Sequence, residues 1–124
     1  FVLDALPDGR FRTAGEQALV AEGGPASYAA HIVIDRAGRT LYVSNRGANS
    51  ITVFALDAKG EPRLVQHVPT GGNWPRFFLL REGRAEMLVA NERSGTVNAF
   101  HIGKDGRLTA TGRRRWRSAH SRIA

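Results

Sequence analysis

The chain has 124 residues, 42% of them hydrophobic and 23% charged, with no cysteine and a formal net charge of +7. Its length suits one domain or part of one, it is too apolar for a disordered chain, and no run approaches the roughly 20 apolar residues of a membrane helix. The missing cysteines exclude disulfides, a thiolate metal site and a cysteine nucleophile.

The chain opens on FVLDALPDG, without Met or an apolar leader, and reads as an internal piece or a processed product; the expected location is cytoplasmic. Residues 1–27 are expected to end one repeat and connect to the next. From there short β-branched and aromatic runs alternate with turn residues: Ile32 to Asp35, Leu41 to Asn45, Ile51 to Leu56 and Leu64 to Val68. The intervening turns fall at Arg36–Arg39, where Gly38 is available for positive φ, then at Gly47–Ser50 and Asp57–Gly60. The fourth run closes at Pro69-Thr70-Gly71-Gly72. No segment shows helical periodicity.

The pattern then repeats. Gly38 aligns with Gly83, Asn45 with Asn91, Phe54 with Phe100 and Gly60 with Gly106, and Phe1 falls at the place of Phe54. The offset begins at 45 and becomes 46 after an apparent insertion near Glu86. Four short antiparallel strands per repeat of this length define a β-propeller blade. The expected fold is all-β: four-stranded antiparallel sheets forming part of a propeller. Residues 28–73 make one blade, 74–112 most of the next, and 113–124 a basic tail outside it. That tail holds five Arg and no acid; the remainder carries 13 basic and 11 acidic residues. RRRWR could meet phosphates with Trp116 stacking, but a charge excess confined to one end makes a nucleic-acid partner the weakest reading.

The segments AAHIVIDRAGRTLYVSNRGANSITVFALDAKG, VPTGGNWPRFFL and LVANERSGTVNAFHIGKDGRL together resemble the lactonase family of seven-bladed β-propellers, 6-phosphogluconolactonase-like proteins whose relatives include the fungal carboxymuconate lactonizing enzyme. The resemblance spans roughly residues 1–112, about two and a half blades, and implies hydrolysis of a sugar lactone, with 6-phosphogluconolactone the leading substrate. No cofactor and no membrane partner are expected. A non-catalytic ligand- or protein-binding propeller is the alternative, since fold alone does not set function.

Blade geometry brings the start of a first strand and the end of a second strand to one rim, where binding groups gather. His31 and Arg76 are read as first-strand starts; Asn45-Arg46 and Asn91-Glu92 are read as second-strand ends. Lactone hydrolysis needs a base to activate water, for which His31 is suited, and positive charge for the oxyanion. Arg46 and Arg76 supply guanidinium forks for the oxyanion or a substrate anion, and Glu92 polarises or serves as a second base. The expected set is therefore His31, Arg46 and Glu92 for catalysis, and Arg46, Arg76 and Asn45 for substrate. His67, His101 and His120 are too scattered for a metal site, and no HExxH, phosphate loop or GxSxG elbow is present. Open blade edges make self-association the remaining partner expectation.

Overall fold

A computed structural model describes residues 2–5, 7–8, 10–15 and 26–115. Phe1, Trp116, His120 and the rest of 116–124 lie outside the described residues. A hairpin of β1 (Val2–Ala5) and β2 (Phe11–Gly15) opens the chain. Then come β3 (Tyr28–Ile34), β4 (Thr40–Arg46), β5 (Ser50–Leu56) and β6 (Pro62–Pro69), hydrogen-bonded in sequence order into one antiparallel sheet. The second sheet repeats this with β7 (Pro75–Arg81), β8 (Glu86–Asn91), β9 (Thr96–Ile102) and β10 (Leu108–Arg115). Each sheet is a four-stranded blade.

Two details of the sequence reading change. The ladder pairs Ala29 with Asn45 and Ile32 with Val43, and equivalently Pro75 with Asn91 and Phe78 with Val89. The offset is thus 46 from the first strand onward, so His31 corresponds to Phe77 and Arg76 to Ala30. The spans between the equivalent ladder pairs Ile34–Leu41 and Leu80–Met87 have equal length, but they turn differently: Gly38 takes φ 70 in the first, whereas a 3-10 turn over Glu82–Arg84 hands the left-handed conformation to Ala85 in the second. Aligning Gly38 with Gly83 created the apparent insertion. The supposed tail boundary at 112/113 also falls within β10, where Arg113, Arg114 and Arg115 pair with Asn98, Val97 and Thr96. Beyond Leu108 every β10 side chain is exposed, so no apolar alternation marks the strand in the sequence.

The core lies between the blades. Tyr42, Ile51 and Val53 of the first meet Phe78, Met87, Val89, Phe100 and Leu108 of the second, all at most 3% exposed. Burying each such side chain contributes roughly 1.5–3 kcal/mol. In the second blade the pattern alternates cleanly, with Met87, Val89 and Asn91 buried and Leu88 and Ala90 only half-buried. In the first, β4 and β5 each bury four consecutive residues, as sheets covered on both faces do.

Polar clamps fix how the blades meet. The Gln66 side chain donates from Nε2 to the Leu108 carbonyl (3.0 Å) and accepts from the Leu108 N–H at Oε1 (2.9 Å), so one amide stands in for a strand. The Tyr42 hydroxyl donates to the Gly106 carbonyl at 2.8 Å. The Arg36 N–H donates to the Glu82 carboxylate. These last two bonds lie at the rim formed by the β3–β4 connection.

Candidate functional site

The opposite rim is built from the start of β3, the end of β4, the β6–β7 connection and the β8–β9 turn. The Tyr28–Arg46 and Pro75–Asn91 pairings bring these segments to one edge, as the blade geometry requires. At its centre is Trp74. Its φ of 70 is a genuine outlier for a bulky residue, and both of its peptide groups are held. The Trp74 N–H donates to Asn49 Oδ1 at 2.8 Å, and the Trp74 carbonyl accepts from the Glu92 N–H at 3.0 Å. Asn49 is itself left-handed, at φ 54. One strained residue therefore ties the turn of the first blade to the turn of the second.

The Trp74 indole collects cations. The Arg93 guanidinium carbon stands 3.5 Å from the ring centre and that of Arg46 5.7 Å, with the Tyr28 ring 6.2 Å away. Arg46 also donates to the Ala29 carbonyl (3.1 Å) and, at longer range, the Tyr28 carbonyl (3.5 Å), which fixes it along the first strand of its own blade. Arg76, at the β7 bulge, donates from Nη1 to Glu92 Oε2 at 3.1 Å. Both side chains of that pair are exposed, so the contact orients the two groups and adds at most about 1 kcal/mol.

Among the expected site residues, Arg46, Arg76 and Glu92 come together on this rim. His31 sits further along β3, where its N–H donates to Ser44 Oγ at 3.1 Å. Its ring packs against Phe77 and Phe78 of the next blade, at 4.7 Å from each ring centre. Asn45 turns its amide into the blade. It is 1% exposed, and its amide donates to Ser50 Oγ (3.1 Å) and Thr52 Oγ1 (2.9 Å) inside the blade. Thr52 in turn meets His67 Nδ1 at 3.1 Å. Asn91 repeats the arrangement with Thr96 and Asn98. Each asparagine thus spends its amide N–H groups inside its own blade, while Asn45 Oδ1 and Asn91 Oδ1 are buried without a hydrogen-bond partner among the described residues.

Sequence reasoning missed Arg93. Arg93 occupies the register of Gly47, and nothing in its local sequence points to the Trp74 indole. Among the described residues no three His, Asp or Glu side chains converge as a metal site would require. A groove of about 450 Å³ at the other rim touches Asp35, Tyr42, Glu82 and Lys104, but Tyr42 and Glu82 are engaged in the inter-blade bonds described above.

Two adjacent four-stranded blades, with charged groups gathered at one rim, define a β-propeller. Residues 2–119 match the family described as lactonase, 7-bladed beta-propeller. The chain belongs to that family. It is 41% identical over 83 residues to a 6-phosphogluconolactonase of Bacillus subtilis (strain 168), covering 65% of this chain and 23% of that protein. Among solved structures, a Lactobacillus plantarum protein superposes with a TM-score of 0.83 at 31% identity, over 90% of this chain and 33% of that one. The Pseudomonas aeruginosa periplasmic gluconolactonase PpgL gives a TM-score of 0.84 at 28% identity, over 90% and 32%. The chain thus spans about a quarter of the curated relative and a third of the solved ones.

Proposed function

We propose that the protein carrying this chain hydrolyses a sugar lactone, 6-phosphogluconolactone in the first instance, to the open-chain acid. Water adds to the lactone carbonyl, the ring C–O bond breaks, the leaving alkoxide takes a proton, and the new carboxylic acid releases one to solvent. His31 acts as the base that takes the proton of the attacking water. Arg76, oriented by Glu92, meets the oxyanion, Arg46 adds positive charge beside it, and Glu92 polarises the water or shares the base role. The observation that carries this reading is the Arg76–Glu92 pair on the same rim as Arg46, in a chain of the lactonase family. Relatives named 6-phosphogluconolactonase favour the phosphorylated substrate. A cytoplasmic setting belongs to the same reading.

The test is ring opening of 6-phosphoglucono-δ-lactone, followed by pH-stat on the protein purified from its native source, with variants made in the same chain. His31→Ala and Glu92→Gln are each expected to lower turnover about 10²-fold or more, the usual scale of acid–base catalysis. Wild-type turnover in both variants would remove the proposed roles. Tight binding of the lactone without hydrolysis would establish the binding-module alternative.

A further inference from the structure

The Arg76–Glu92 pair leaves two other cations on the rim. Among the described residues neither Arg46 nor Arg93 forms an ion pair with a carboxylate, although Glu92 is the residue just before Arg93. Both are drawn to one indole instead, Arg93 at stacking distance. Stacking leaves the in-plane N–H donors of Arg93 free to meet oxygen atoms, and Arg46, whose Nε and Nη2 reach the Tyr28 and Ala29 carbonyls, keeps Nη1 for the same purpose. Because both positions are measured from the same ring centre, the two guanidinium carbons are no farther apart than those two distances laid end to end. One tetrahedral dianion between them can direct an oxygen to each.

Two like charges on one ring without a carboxylate partner repel each other, and the ring that gathers them belongs to a residue of strained backbone. Strain of this kind marks binding and catalytic positions when it is actually observed, as it is at Trp74.

We propose that Arg46 and Arg93, gathered by Trp74, form the phosphate-binding corner of the substrate site, with Trp74 as a positioning residue. This rests on the lactone-hydrolase reading and divides the labour within it. Arg76 and Glu92 address the lactone carbonyl, while Arg46 and Arg93 hold the phosphate group at the other end of the same molecule. The corner therefore sets the preference for a phosphorylated over an unphosphorylated sugar lactone.

The experiment compares kcat/KM for 6-phosphoglucono-δ-lactone and glucono-δ-lactone, and calorimetric binding of 6-phosphogluconate, gluconate and inorganic phosphate, using the native-source chain and its variants. Arg93→Ala and Trp74→Leu are each expected to reduce the phosphorylated-to-unphosphorylated ratio about tenfold or more, as loss of one charge-assisted contact does. Arg93→Lys and Trp74→Phe should restore part of it. A purely structural role would lower both substrates together and leave the ratio unchanged; that result in both Arg93→Ala and Trp74→Leu overturns the proposal. If Trp74→Leu fails to fold, the exposed Arg93→Ala decides. If neither lactone is hydrolysed, the enzymatic reading fails on its own, and calorimetry still decides the corner. Preferential 6-phosphogluconate binding that depends on Arg93 supports it, and equal binding of 6-phosphogluconate and gluconate refutes it.

Discussion

Trp74 concentrates the residue-scale physics of the molecule. An L-residue held at φ 70 costs on the order of 1 kcal/mol relative to glycine, and here the hydrogen bond donated to Asn49 and the one accepted from Glu92 fix it there. Backbone strain and indole packing can be separated by paired substitution. Trp74→Gly and Trp74→Ala both delete the ring, but only glycine relaxes in the left-handed region. The glycine variant should therefore unfold at a higher urea concentration than the alanine variant, by about 0.5–1 kcal/mol in stability. Equal midpoints would show that the observed φ stores no strain. The candidate site was only partly legible in the sequence. Arg46, Arg76 and Glu92 could be placed on one rim because strand order fixes which ends meet. The partners of Trp74 could not, because a stacking contact follows the path of a turn rather than any spacing. The orientation of Asn45 was not legible for a related reason: the last residues of a second strand can end at the rim or turn inward, and the hydroxyls of Ser50 and Thr52 draw this amide N–H group inward.

At the scale of elements, strands are joined across blades by single side chains. Tyr42 of β4 reaches the β9–β10 connection through its hydroxyl, and burial, reinforced by the nearby Asp35 and Glu82 carboxylates, pushes that hydroxyl up to about 12 from its ordinary 10. Tyrosine is charged only when deprotonated, so a raised value favours the folded state while the hydroxyl keeps its proton. This stabilisation is fully present below pH 10 and fades as the pH rises toward 12. Two pH units correspond to roughly 2–3 kcal/mol. Denaturation curves across that window should show a steep loss of stability in the parent chain and a shallower one in Tyr42→Phe. Parallel slopes would mean that Tyr42 does not govern the alkaline limb. The element pattern itself was largely readable, because strand runs and turn glycines such as Gly38 and Gly60 do adopt the expected conformations, with φ 70 and 80. The fourth strand of the second blade was not, since an exposed edge strand of arginines has no inward face to alternate with an outward one.

Viewed whole, the chain has a well-packed seam between its blades and apolar side chains left uncovered on the first strands. Ile32 and Ile34 are 64% and 55% exposed, and Phe77 and Leu79 are 50% and 48%. The residues that alternate with them, Val33 on β3 and Phe78 on β7, are packed against the shared core. Patches of this kind are covered in stable proteins, and in the relatives additional length is available to cover them. The 124-residue chain alone is expected to self-associate, with a sedimentation coefficient that rises with concentration. Ile32→Glu combined with Phe77→Glu should suppress that rise. A monodisperse monomer across the concentration range would show that the open faces do not drive association.

The Gln66 clamp has a consequence for the interchangeability of blades. Gln66 pairs with Val53, and the residue at the same ladder position in the next blade, paired with Ala99, is Gly112. Tyr42 likewise gives way to Leu88. The second blade therefore has the strand pattern of the first without the two side chains that grip a following neighbour. Blades that look alike as strand diagrams are keyed to particular positions around the ring. A protein assembled by copying residues 74–115 in tandem would repeat the architecture but lose these fasteners at every joint, whereas copying residues 28–73 would keep Tyr42 and leave the Gln66 clamp half made, because Pro62 stands at the ladder position of Leu108 and has no N–H to offer its Oε1.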